Sequence, residues 1–113
     1  RLEDGLLGGL WEFPGGKQEP DESIESCIKR ELKEELGIAV TVAEQLISID
    51  HAYSHKKLRF MVHLCHWVSG EPRPLASQQV RWVKPEELKE FPFPAANARM
   101  IKALMIWLAT AKA

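Results

Sequence analysis

The sequence predicts one layered α/β domain of the α+β kind, and three observations carry that prediction. Two segments, 23–36 and 97–111, repeat their apolar residues at helical spacing. A third, 58–68, alternates apolar and polar residues as a half-buried strand does. The 113 residues are 45% hydrophobic and 27% charged, the composition of a folded domain able to bury a core. No repeat, low-complexity stretch or linker interrupts the chain, so residues 1–113 read as one domain.

In chain order, Leu10-Trp11-Glu12-Phe13 is a short extended run stopped by Pro14-Gly15-Gly16. Phe13 precedes proline and is held to extended geometry. The glycine pair strips the turn of side chains. Ser23 to Leu36 is a helix, with Ser23 as N-cap, Glu25 in the first turn and Gly37 at C′. Strand-like runs follow at Ile38–Val42, Gln45–Ile49 and Leu58–Val68. In the last, Leu58, Phe60, Val62 and Leu64 alternate with Arg59, Met61, His63 and Cys65. Gly70 to Ser77 is loop, and Val80-Arg81-Trp82-Val83 is another strand. Pro85-Glu86-Glu87-Leu88 begins a short helix with proline at N1. Phe91 to Pro94 is a proline-punctuated connector, and Asn97 to Ala111 is the second long helix.

Several function classes drop out. Fifteen Lys+Arg against 16 Asp+Glu leave a net charge of −1, too little for a binder that works by charge alone. No apolar run reaches the roughly 18 residues of a membrane span, and Arg1 to Gly5 has no signal-peptide layout. Cys27 and Cys65 form no disulfide framework or metal spacing; they read as buried reduced thiols, which fits a cytoplasmic location. The net charge conceals a split. Residues 1–50 hold 12 acids and 5 bases, while residues 51–113 hold 4 acids and 10 bases. An acidic site facing a basic surface gives such a split, and so does chance clustering.

The first helix carries an anomaly. With Ile24 at zero on a wheel of about 100° per residue, Ile28, Leu32 and Cys27 define an apolar arc. Glu31 and Glu35 fall in the middle of that arc and Glu34 at its edge. The three carboxylates repel one another at i, i+3 and i+4, and they lie in the half of the helix where its dipole disfavours negative charge. A divalent cation relieves all three terms, since hard Mg2+ or Mn2+ takes carboxylate oxygens. Arg30 beside them can orient a carboxylate. The alternative is a solvated Glu/Lys helix with i,i+4 pairs. The bare backbone of Gly15-Gly16, ahead of the helix, allows close approach to a metal or phosphate, and Lys17 adds a point charge.

Gly16, five residues, Glu22, seven residues, then Arg30-Glu31-Leu32-Lys33-Glu34-Glu35-Leu36-Gly37-Ile38 matches every fixed position of a Nudix box over residues 16–38. The chain therefore resembles the Nudix hydrolases. That resemblance implies a mixed β-sheet sandwiched between helices and a diphosphohydrolase that uses Mg2+ or Mn2+. It implies Glu31, Glu34 and Glu35 as metal ligands, with the Gly15 or Gly16 carbonyl as a further one. Arg30 would hold a ligand glutamate, Glu22 would support the loop, and Glu31 is the candidate general base. Leu10 to Lys17 and Phe93-Pro94-Ala95-Ala96-Asn97 look like the MutT branch, the 8-oxo-dGTP diphosphatases. By that resemblance Asn97 reads the oxidised purine, Phe13 packs near the base, and Arg1 contacts the nucleotide. An amide can donate and accept at once on a base edge, and Asn97 as a helix N-cap is the alternative.

Two departures stand out. The branch usually has a strand before the position of Arg1, so the domain is expected to lack its first strand here. A late carboxylate of some members is here Arg81. A second resemblance competes. His51-Ala52-Tyr53-Ser54-His55 looks like the C-terminal Nudix-like domain of the adenine DNA glycosylase MutY, which recognises 8-oxoguanine in duplex DNA. Tyr53 and His55, with Lys56, Lys57 and Arg59, would then contact DNA. Ordinary surface histidines and a solvated lysine turn give the same pattern. The intact box favours hydrolysis of an oxidised purine nucleotide over the glycosylase module. A Nudix hydrolase for another nucleoside diphosphate derivative is the third reading.

Overall fold

The computed structural model describes residues 9–52 and 54–111. The elements are α1 (Ile24–Leu36), β1 (Ala39–Ala52), β2 (Lys57–Ser69), a 3-10 helix (Pro85–Glu90) and α2 (Ala95–Ala111). Arg1, Tyr53 and any strand formed before residue 9 lie outside the described residues. Among the described residues the sheet is a two-stranded antiparallel hairpin, and both α1 and α2 pack on β1. This is a helix-and-sheet α+β arrangement, as expected, although only an antiparallel pair of the sheet is visible.

The caps of α1 are those the sequence spells out. The Ser23 hydroxyl accepts the Ser26 N–H at 3.0 Å, and Gly37 takes a left-handed φ of 72° while its N–H donates to the Lys33 carbonyl. Both ends of the helix thus find partners for backbone groups that the helix itself leaves open. The runs 38–42 and 45–49 are one strand, not two. Register irregularities at Val42/Gln45 and Gln45/Ile47 absorb the break in alternation between them. Leu32, Ile38 and Val40 form the buried cluster under α1, joined by Ile28, Leu36 and Cys65, while Ile49 is 1% exposed. Near the middle of β1, the Trp107 indole N–H of α2 donates to Glu44 at 3.0 Å.

The expectation of a strand at Val80–Val83 is corrected. Among the described residues the segment joins no ladder, and Trp82 is 69% exposed. Alternation shows which side chains want burial; it does not supply the neighbouring backbone that makes a strand. The 3-10 helix after Pro85 forms as expected and buries Leu88. α2 starts at Ala95, two residues earlier than expected, which places Asn97 in its first turn.

Candidate active site

Arg30 organises the polar half of the site. Its guanidinium grips Glu22 with two bonds, Nε to Oε2 at 2.6 Å and Nη2 to Oε1 at 2.9 Å. Nη1 donates to Glu31 at 3.0 Å and to Glu34 at 3.3 Å, and Nη2 also reaches the Lys17 carbonyl at 3.1 Å. A planar fork suits this task, because it can serve several oxygens in fixed directions. The arginine therefore ties α1 to both ends of the loop that precedes it. The Glu22 carboxylate also accepts the Glu19 N–H at 2.9 Å. Bonds from Arg30 first, then from Glu19, lower its pKa from 4.5 to about 2. Arg30 is held the more firmly protonated by the same pair. Cys27 lies buried beneath it, and burial raises its thiol pKa.

The helical-wheel placement of the glutamates holds in three dimensions. The Glu31 side chain is 14% exposed and Glu35 is half-buried, whereas the Glu34 side chain at the edge is 61% exposed. The exposed face carries the ordinary pair Lys29–Glu25 at 3.2 Å. The glycine turn closes over the buried carboxylates. The Gly15 N–H donates to Glu35 at 3.3 Å. A Cβ on Gly16 would run into the Glu31 carboxyl carbon and both its oxygens, so any larger residue there would have to displace that side chain.

The donor set is all oxygen, on one helix face, and matches a hard divalent cation rather than a soft one. Arg30 uses one oxygen each of Glu31 and Glu34. Among the described residues no three His, Cys, Asp or Glu side chains are gathered into a metal-holding group as they stand. Glu31, Glu34 and Glu35 are neighbours on α1, and Arg30 holds the first two while the Gly15 N–H holds the third. The Gly15 and Gly16 backbone borders Glu35 and Glu31.

Next to this polar half lies an aromatic half that the sequence only partly announces. Phe13 stacks on Phe93, with ring centroids 5.1 Å apart and planes at 14°. The Trp11 ring meets Phe91 edge-on at 5.6 Å, and the Trp11 backbone N–H donates to the Pro92 carbonyl at 2.8 Å. Arg81 lies over the Phe91 ring, 5.2 Å from its centre. Two clefts open here. One, of about 450 Å³, is mostly apolar and runs from Trp11 and Phe13 to Trp82 and Leu104. The other, of about 280 Å³, lies between Trp11–Pro14, Glu35 and the segment Ala76–Arg81. Glu12 and Phe13 line both, and Glu35 lines the second.

Not every expected residue joins this group. Asn97 is 9% exposed, and its amide contacts Met100 sulfur at 3.9 Å; it lies inside the first turn of α2 rather than at the N-cap, which corrects that alternative. Lys17 enters the Arg30 network through its carbonyl. His55 is exposed in the β1–β2 connection and lines neither cleft. Nearby, Arg59 is paired with Asp50 at 2.8 Å, which neutralises part of that basic stretch. Trp11, Glu12, Phe91 and Phe93 also line the larger cleft; the i, i+2 aromatic spacing of Trp11/Phe13 and Phe91/Phe93 is a signal for three of them, and Glu12 has none.

The family described as NUDIX domain matches residues 1–103. Among curated relatives, a CTP pyrophosphohydrolase of Escherichia coli is 39% identical over 101 residues, covering 86% of this chain and 72% of that protein. An 8-oxo-dGTP diphosphatase of Haemophilus influenzae is 37% identical over 105 residues, covering 93% and 77%. The crystal structure of a MutT NUDIX hydrolase from Burkholderia pseudomallei superposes with a TM-score of 0.76 at 31% identity, covering 86% of this chain and 78% of that one.

Proposed function

Because the chain belongs to the NUDIX domain family, and so is a Nudix hydrolase related to the MutT-type 8-oxo-dGTP diphosphatases, we propose that it hydrolyses 8-oxo-dGTP, or a related oxidised purine nucleoside triphosphate, to the monophosphate and pyrophosphate. The observation that carries this reading is the pairing of two halves: carboxylates turned inward on α1 beside a glycine turn, and an aromatic cleft next to them. Phosphates and a flat base ask for those two environments side by side.

Glu31, Glu34 and Glu35 would hold a Mg2+ or Mn2+ ion, with the Gly15 or Gly16 carbonyl as a further ligand. Such an ion, when bound, offsets phosphate charge and makes water more acidic. The residues of the chain do the rest. Lys17 and the bare glycine backbone receive the phosphates. Phe13 stacks on the base; the Asn97 amide, which lines neither cleft, is a reader of the base edge by the family resemblance alone. Arg30, itself anchored by Glu22, keeps the glutamate side chains in register. Water attacks phosphorus, the phosphoanhydride bond between the nucleoside monophosphate and the pyrophosphate breaks, and Glu31 would take the proton from the water. Arg1 belongs to the same proposal from sequence alone, and Tyr53 and His55 belong to the duplex-DNA reading.

The name of the Escherichia coli relative brings CTP forward as the rival substrate. A panel of 8-oxo-dGTP, dGTP and CTP, assayed with Mg2+ for pyrophosphate release, separates the two. The account expects kcat/KM to be highest for 8-oxo-dGTP; a preference for CTP overturns the substrate and keeps the reaction. Recognition of 8-oxoguanine in duplex DNA predicts tighter binding of damaged than undamaged duplex, and equal affinity removes it.

A further inference from the structure

We propose that Phe93 is a positioning residue: it fixes the plane of Phe13 and thereby sets how tightly the cleft holds a planar base. The inference rests on the nucleotide-hydrolase reading above and adds a residue to it. Phe13 is 37% exposed at the point where both clefts meet. A ring so exposed would ordinarily sample several rotamers, and ordering it on binding would weaken affinity. Here one of its faces is taken by Phe93, nearly parallel at 14°. A stacked pair of this kind holds both rings in plane.

Phe93 is itself unusually constrained. Pro92 and Pro94 flank it, and a residue before proline is confined to extended geometry. The connector is also pinned to the partner run two residues away, by the Trp11–Pro92 bond and the Trp11–Phe91 edge contact. On its other side α2 begins at once, and the Asn97 N–H donates to the Pro94 carbonyl at 2.9 Å. The stack thus joins the run that leads into Gly15-Gly16 to the first turn that carries Asn97. A substrate base meeting Phe13 meets a surface already held in place.

The test is binding of a purine nucleoside monophosphate to the full chain by calorimetry, together with steady-state hydrolysis of the triphosphate. Phe93→Leu is expected to weaken mononucleotide binding and raise KM by roughly three- to tenfold, with kcat little changed. Phe93→Tyr, which keeps the ring, is expected to restore both. Phe13→Leu and the double variant should bind alike, because Phe93 acts through Phe13. Phe93→Met replaces Phe93→Leu if the latter does not fold. Unchanged binding in the ringless variants, or additive losses in the double variant, overturns the proposal; so does a wild-type chain that does not bind the mononucleotide. Ring-dependent binding without any hydrolysis supports the proposal and overturns the hydrolase reading instead.

Discussion

Arg30 and Arg59 each hold a carboxylate through a short bond from Nε, at 2.6 Å to Glu22 and 2.8 Å to Asp50. Bond length barely separates them. Their surroundings do: the Arg30 and Glu22 side chains are 24% and 13% exposed, those of Arg59 and Asp50 are 66% and 72%. Arg30 also serves Glu31, Glu34 and the Lys17 carbonyl, whereas Arg59 bonds to Asp50 alone among the described residues. One arginine is the hub of a partly buried network beside the glycine turn. The other closes a solvated cross-strand pair on a hairpin. The same ion-pair chemistry is therefore expected to support the proposed site in one place and to contribute little in the other.

The comparison can be broken at its strongest point first. Glu34→Gln keeps the shape of a carboxylate that Arg30 holds but removes its charge. Steady-state kinetics should show kcat lowered by more than about 100-fold with the fold intact by circular dichroism. Arg30→Ala frees three glutamates at once, and the loss in kcat/KM should be roughly 10- to 100-fold. Activity near wild type in either variant would place Arg30 in the same class as Arg59.

Glu22→Gln sharpens the contrast through pH. The folded pKa of about 2 lies below the ordinary 4.5, so the ionised carboxylate stabilises the fold above about pH 4.5. That contribution is lost as the pH falls from about 4.5 through about 2. Denaturation midpoints of wild type and Glu22→Gln should differ by a constant amount near neutrality and converge across that window. The smallest effect belongs to the hairpin. Asp50→Asn should leave kcat/KM and the denaturation midpoint within error of wild type, because an exposed pair contributes little. A clear loss of activity there would show that the hairpin takes part in the site.

How far the site was legible in the sequence follows the same division. The Arg30 half was readable because helical periodicity fixes which residues share a face: Glu31 and Glu35 had to lie among Ile28, Leu32 and Cys27. The caps at Ser23 and Gly37 were readable because they depend on backbone groups within a few residues. The aromatic half is legible only in part, through the resemblance that singles out Phe13. Phe13 meets Phe93 across most of the chain, and periodicity carries no information about such a distant partner. Asn97 is of the residue type that caps helices, which points to a helix start there, yet the helix starts directly after Pro94. The segment 80–83 had the pattern of a strand, and pattern alone does not provide a hydrogen-bonding neighbour.

The inward carboxylates of α1 are proposed to serve a metal-dependent hydrolysis. Pyrophosphate release from 8-oxo-dGTP by the wild-type chain, with Mg2+ and then with an excess of chelator, tests it most directly. The account predicts release that begins with Mg2+, stops with chelator and returns when Mg2+ is restored. Release that continues unchanged in chelator, or no release under either condition, would contradict it.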